Sequence, residues 1–175
     1  MLATHVGVEK LKQGDVDKLI ITRPAVSVDE SHGYLPGTLE NKMEPWIRPI
    51  MDVMLKSMSA DDIARHMKQR TIEICPLAFM RGRTFENAWI ICDEAQNCTP
   101  SQMLMVLTRI GHGSKLIVTG DPEQHDRGFE NNGLVDFADR VRIFRPDGIG
   151  IVEFDENDVM RHPIIPSILN MYRDT

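Results

Sequence analysis

Apolar residues along this chain come in short blocks whose spacing switches between two periods. Leu2, Ala3, Val6 and Leu11 share roughly one helical face, and Gly14 stands where such a helix would stop. Residues 18–22 (KLIIT) read as a short buried strand. Two prolines and two glycines from Arg23 to Gly37 predict a long loop. Residues 43–58 are apolar at helical spacing (Trp46, Ile47, Ile50, Val53, Met54), with Pro45 and Pro49 confining the regular part to the residues after the second proline. Ser59 is placed to cap the next helix. Residues 71–75 (TIEIC) alternate like a strand, and 88–92 (AWIIC) form the continuous apolar run of a central parallel strand. Thr99-Pro100-Ser101-Gln102 is a capping box with proline at the first helical position. The helix it opens carries Met103, Val106, Leu107 and Ile110 and is expected to end at Gly111. Residues 115–119 (KLIVT) predict a further strand, 134–141 a helix, 150–154 (GIVEF) a strand and 165–172 a helix. Strands alternating with helices predict an α/β fold with a largely parallel sheet.

Composition narrows the class without naming a function. At 175 residues, 42% apolar and 26% charged, the chain is expected to form one domain with a real core. No apolar run approaches the ~20 residues that span a bilayer. The first residues lack the basic start and apolar stretch of a leader. Three cysteines without a C-x-x-C pair read as buried, reduced thiols of a cytosolic protein. The six histidines lack metal-ligand spacing. A net charge of −6 gives no overall attraction to phosphate, but a local basic patch on an acidic domain can still bind nucleic acid.

Candidate chemistry begins at Asp93 and Glu94, directly after AWIIC. Their position puts two carboxylates at the C-terminal edge of a buried strand, where ligands bind in open α/β sheets. Asp93 could hold Mg²⁺, and Glu94 could orient or deprotonate a water attacking a phosphate. The plain alternative is a strand ending in a solvated turn. A second apolar strand also ends in an acid, Thr119-Gly120-Asp121-Pro122-Glu123-Gln124. Gly120, Asp121 and Gln124 match the G-D-x-x-Q element of superfamily-one helicases, while a Gly-Asp-Pro turn is reason enough for the first part.

Several further motifs occur in a fixed order: Ile21-Thr22-Arg23-Pro24-Ala25-Val26, Gly33-Tyr34-Leu35-Pro36-Gly37, Phe79-Met80-Arg81-Gly82-Arg83-Thr84, Asp93-Glu94-Ala95-Gln96-Asn97, Leu107-Thr108-Arg109, Thr119-Gly120-Asp121 and Val159-Met160-Arg161-His162-Pro163. Together they resemble the PhoH-like ATPase family over nearly the whole chain. The resemblance implies a RecA-like P-loop core, ATP hydrolysis with Mg²⁺, ring-shaped homo-oligomers such as hexamers, a cytoplasmic location and activity linked to RNA. It casts Glu94, Gln124 and Arg161 as catalytic, Arg161 as a finger toward a neighbouring subunit. It casts Asp93, Asp121, Arg81 and Arg83 as nucleotide contacts. For Arg161 an intrachain ion pair at a helix start stays open, and Arg23 reads as structural.

One family element does not occur. The chain contains no G-x-x-x-x-G-K-[ST], and no lysine directly follows a glycine. That loop supplies the N–H cradle and the lysine for the β- and γ-phosphates. The expectation is a domain incomplete at its N-terminus, with natural loss in a degenerate relative as the other account. The second functional expectation rests on the same gap: a catalytically silent module that keeps a ring-forming surface. No cluster of acids in an additional domain supports a nuclease.

Overall fold

Four of the apolar blocks lie side by side in one sheet. The computed structural model describes residues 1–24, 39–124 and 132–155, with 158, 164, 165, 168 and 171 besides, and over 39–46 the backbone alone. Strands β1 (Lys18–Arg23), β2 (Ile72–Pro76), β3 (Ala88–Cys92) and β4 (Lys115–Val118) pair in the order β2-β1-β3-β4, all parallel. Helices α1 (Leu2–Gln13), α2 (Leu39–Met54), α3 (Ala60–Lys68), α4 (Pro100–Leu107) and α5 (Gly133–Phe144) complete the α/β architecture, the arrangement of a RecA-like P-loop core.

The central strands are apolar throughout because both of their faces are covered. Ile20, Cys75, Ile90 and Cys92 point to one side and pack with Met80, Phe85, Met103 and Val106. Leu19, Ile21, Ile72, Trp89 and Ile91 point to the other and pack with Val8, Ile50, Met54 and Ile63. Each fully buried aliphatic side chain contributes about 1.5–3 kcal/mol. Helix α1 lies flush on β3: Trp89 Nε1 donates to the Ala3 carbonyl at 3.1 Å, and a methyl group on Gly7 would stand 2.6 Å from the indole.

Local signals set the helix ends. Gly14 closes α1 at φ 76. Ser59 accepts the Asp62 N–H to open α3, and the Thr99–Gln102 capping box opens α4. Helix α3 finishes with both hydrogen bonds of a Schellman motif, Arg70 N–H to the Met67 carbonyl (3.1 Å) and Thr71 N–H to that of His66 (3.0 Å). Its left-handed position, usually a glycine, is Arg70 at φ 58.

Three expectations are corrected. Helix α2 runs from residue 39 through both prolines. Pro49 is on the exposed side, where water replaces the hydrogen bond a proline cannot make, while buried Ile50, Val53 and Met54 hold the helix to the core. Helix α4 stops at Leu107, and Ile110 instead forms a bridge with Phe85. Residues 150–154 are exposed and join no strand among the described residues, so alternation there lacks the neighbour that would make it a strand. The helix expected at 165–172 falls mostly outside the described residues. The chain forms two compact units, Met1–Phe137 and Ala138–Thr175. In the second, Arg142 pairs with Asp139 (2.8 Å) and with Glu153.

Candidate functional site

Strands β1, β3 and β4 end at one edge of the sheet, and the polar residues beyond them meet there. The ladder continues past the apolar residues: Asp93 N–H donates to the Thr22 carbonyl, Thr119 N–H to that of Cys92 and Ala95 N–H to that of Thr119, each at 2.9 Å. This fixes where the first acid leaves β3. Thr119 Oγ1 donates to Asp93 Oδ1 at 2.7 Å, leaving the second carboxylate oxygen without a hydrogen-bond partner among the described residues. On the neighbouring strand, Thr22 Oγ1 is buried and has no hydrogen-bond partner among the described residues.

Glu94 adopts the left-handed conformation (φ 53), which is strained for a residue with a Cβ. Its carboxylate accepts from Gln96 Nε2 at 2.7 Å and lies 3.8 Å from an Arg23 guanidinium nitrogen. Gln96 is 2% exposed and uses both ends of its amide. Nε2 also donates to the Gln124 carbonyl (3.1 Å), and Oε1 accepts the Asp121 N–H (3.2 Å). One buried glutamine thus ties the Glu94 carboxylate to the loop after β4. Within that loop, Asp121 accepts the Glu123 N–H (3.0 Å) and the Gln124 side chain (2.9 Å). Gly120 is required by proximity, because a Cβ there would stand 2.5 Å from Gln96 Oε1.

The structure therefore brings together Asp93, Glu94, Asp121 and Gln124. It adds Thr22, Arg23, Thr119 and Gln96, which the sequence reading did not single out as site residues. Arg23, read as structural, faces Glu94. Gln96 did carry a signal, since it sits two residues beyond Glu94 in the acidic motif. The loop arginines lie apart from this group. Arg83 makes a bidentate pair with Glu73, its second arm at 2.8 Å, and stacks 4.6 Å over the Phe85 ring. Arg81 is exposed after the short 3₁₀ turn Leu77–Met80. Arg161 is outside the described residues.

Nearby thiols take no part in this chemistry. A hydrogen bond with Cys98 that favours the protonated Cys92 thiol, together with burial, holds Cys92 well above its ordinary value of 9.0. All three cysteines are free and buried. The open Asp93 oxygen beside the Thr119 hydroxyl is a hard donor suited to Mg²⁺, which typically takes one or two carboxylates and completes its shell with water and phosphate. Among the described residues no three His, Cys, Asp or Glu side chains form a protein-only cage.

A family model described as PhoH-like protein matches residues 1–173. The chain belongs to the PhoH-like family. This family is generally of the P-loop ATPase type. A PhoH-like protein of Bacillus subtilis (strain 168) is 46% identical over 173 residues, covering 98% of this chain and 53% of that protein. A PhoH-like protein of Synechocystis is 42% identical, covering 98% of this chain and 52% of its own length. The protein PhoH of Escherichia coli (strain K12) is 41% identical over 168 residues, covering 94% and 47%. The PhoH-like chain thus spans about half the length of the curated relatives it matches. Among its described residues no helix is long and apolar enough to cross a membrane.

Proposed function

We propose that this chain is the part of a cytoplasmic PhoH-like protein that holds Mg²⁺ and activates water for ATP hydrolysis, with hydrolysis coupled to RNA. The observation that carries the reading is the cluster at the sheet edge, in which an open Asp93 oxygen, a strained Glu94 and the Gln124 loop are joined through Gln96. Asp93, with the Thr119 hydroxyl fixing its rotamer, would hold the metal. Bound there, Mg²⁺ supplies charge neutralisation to the β- and γ-phosphate oxygens. Glu94 orients water and receives its proton. Gln96 keeps the Glu94 carboxylate in place and sets the distance to Gln124. Arg23, 3.8 Å from Glu94, faces that carboxylate and limits where it can turn.

The phosphate cradle is not among these residues, because the 175-residue sequence contains no Gly-Lys pair. We therefore expect weak ATP binding by the chain as it stands, and micromolar affinity in calorimetry would contradict that. This same observation favours the second reading, a silent ring-forming module. The two readings part in a chain carrying a glycine-rich loop ending in Gly-Lys-Thr ahead of α1. There, Mg²⁺-dependent hydrolysis is expected, and Glu94→Gln should keep nucleotide affinity while lowering turnover by about 10²–10⁴-fold. Turnover unaffected by that substitution would falsify the role of Glu94.

A further inference from the structure

A groove of about 490 Å³ runs along the outer edge of β2, lined in part by Met67, Arg70, Phe79 and Arg83. Arg70 and Arg83 line it with one acid, Glu73, and further cations stand close by in the sequence. Residues 65–83 contain five Lys and Arg against one acid, Glu73, in a chain whose net charge is −6. That acid is already committed, since Arg83 holds it by two hydrogen bonds and keeps its carboxyl below the ordinary 4.5. Lys68, Arg70 and Arg81 are exposed and make no ion pair among the described residues. Phe79 is 54% exposed, a large aromatic face left in water that lines the groove with Arg70 and Arg83.

Arg70 adds an independent sign. Its position in the Schellman motif calls for glycine, and a side chain there costs roughly 1–2 kcal/mol of backbone strain. The Arg70 charge acts on Glu73, but Arg83 already holds that acid by two hydrogen bonds, so Glu73 does not itself call for a side chain at this strained position. What that side chain reaches is the groove.

We propose that this groove binds single-stranded nucleic acid, with Phe79 stacking on a base and Arg70, Arg81 and Lys68 meeting the phosphates. An exposed ring can stack only on an unpaired base, which excludes a closed duplex as the fitting ligand. An acidic peptide would use the cations but gain nothing from the ring. Parallel strands lie ~4.8 Å apart, so a strand bound at β2 passes ~10 Å from the end of β3, with β1 between. The proposal gives the RNA part of the proposed function a surface and stands without its hydrolytic part.

The test uses the 175-residue chain without nucleotide, in fluorescence anisotropy against a labelled 12-residue oligouridylate, its deoxy counterpart, a blunt RNA duplex and polyglutamate. Binding of the single strands at 50 mM salt, weaker at 200 mM, is expected, and the first two probes tell RNA from DNA. Phe79→Ala should weaken binding by about 10-fold with the salt slope unchanged, since stacking carries no charge. Arg70→Gly should weaken binding and flatten the salt slope by about 0.7. It should leave the melting temperature equal or higher, so its effect cannot be laid to misfolding. No binding at 50 mM salt, affinities untouched by both substitutions, or polyglutamate binding as tightly as the single strands would each overturn the proposal. Hydrolysis is decided separately by Glu94→Gln, so either reading can fail without the other.

Discussion

At the scale of single residues, two side chains have measurable consequences. Thr22 is 0% exposed and its hydroxyl has no partner among the described residues, so the folded state carries a desolvation cost that none of them offsets. Thr22→Val keeps the shape and removes the hydroxyl. It is expected to stabilise the free chain by about 1–2 kcal/mol, which for a chain of this size raises Tm by about 2–4 °C per kcal/mol. A lower Tm would mean that the hydroxyl has a partner. Glu73 carries a pH signature. The hydrogen bonds from Arg83 hold its carboxyl below the 4.5 it regains on unfolding. A lowered carboxylate stabilises above its unfolded value, and that contribution disappears as pH falls through the folded value. Thermal melts between pH 7 and 3 should therefore show the native chain losing more stability below about pH 4.5 than Glu73→Gln does. Parallel curves would count against the pair. Cys75, on the same strand, is pushed up to about 11, first by burial and then by the Glu73 charge, so it stays protonated in both assays.

Among the elements, the loop after β4 depends on a single glycine. Gly120→Ala would drive a methyl group to 2.5 Å from Gln96 Oε1 and 2.9 Å from Leu134, and Gln96 cannot swing aside without giving up three hydrogen bonds. A loss of about 1–3 kcal/mol is expected, read as a lower urea midpoint with an unchanged m-value. An unshifted midpoint would show that the glutamine moves freely. How far the sequence revealed these elements depends on their physics. KLIIT and AWIIC were legible as strands because a parallel strand buried on both faces leaves a continuous apolar run, and KLIV, half-buried beside them, keeps the same pattern. The caps at Ser59 and Thr99 were legible because they are local chemistry. Helix α2 was misread at its prolines because its stability comes from Ile50, Val53 and Met54 against the core, a tertiary term that local propensity does not contain. The run 150–154 was misread because alternation says nothing about whether a partner strand exists. Asp93 and Glu94 could be placed at the sheet edge from their position after an apolar run. Arg23, Thr119 and the bridging role of Gln96 could not, since they arise from three strands meeting and none is adjacent to another in sequence.

For the whole molecule, we propose ring assembly with Arg161 acting in trans, a reading that predicts complementation. In a chain carrying the glycine-rich loop, Arg161→Ala should lower hydrolysis by on the order of 10³-fold with little change in nucleotide affinity. Subunits carrying Arg161→Ala mixed with subunits carrying Glu94→Gln should partly regain activity, through interfaces that pair an intact Glu94 with an intact Arg161. Mixtures as inactive as either parent would remove the trans role. The sheet order has a consequence for how the chain is made. β1 is synthesised first but lies in the middle, with both of its partners encoded later, and about fifty residues separate its end from the start of β2. At ~5–20 residues per second, the ribosome needs roughly 2–10 s to deliver that first partner. Throughout that interval Leu19, Ile20 and Ile21 form an apolar segment of high strand propensity with both edges bare, a target for holding chaperones and a seed for aggregation. Slowing translation between residues 24 and 71 should therefore lower the soluble yield, whereas a pause after residue 118, once β4 has been delivered, should leave it unchanged.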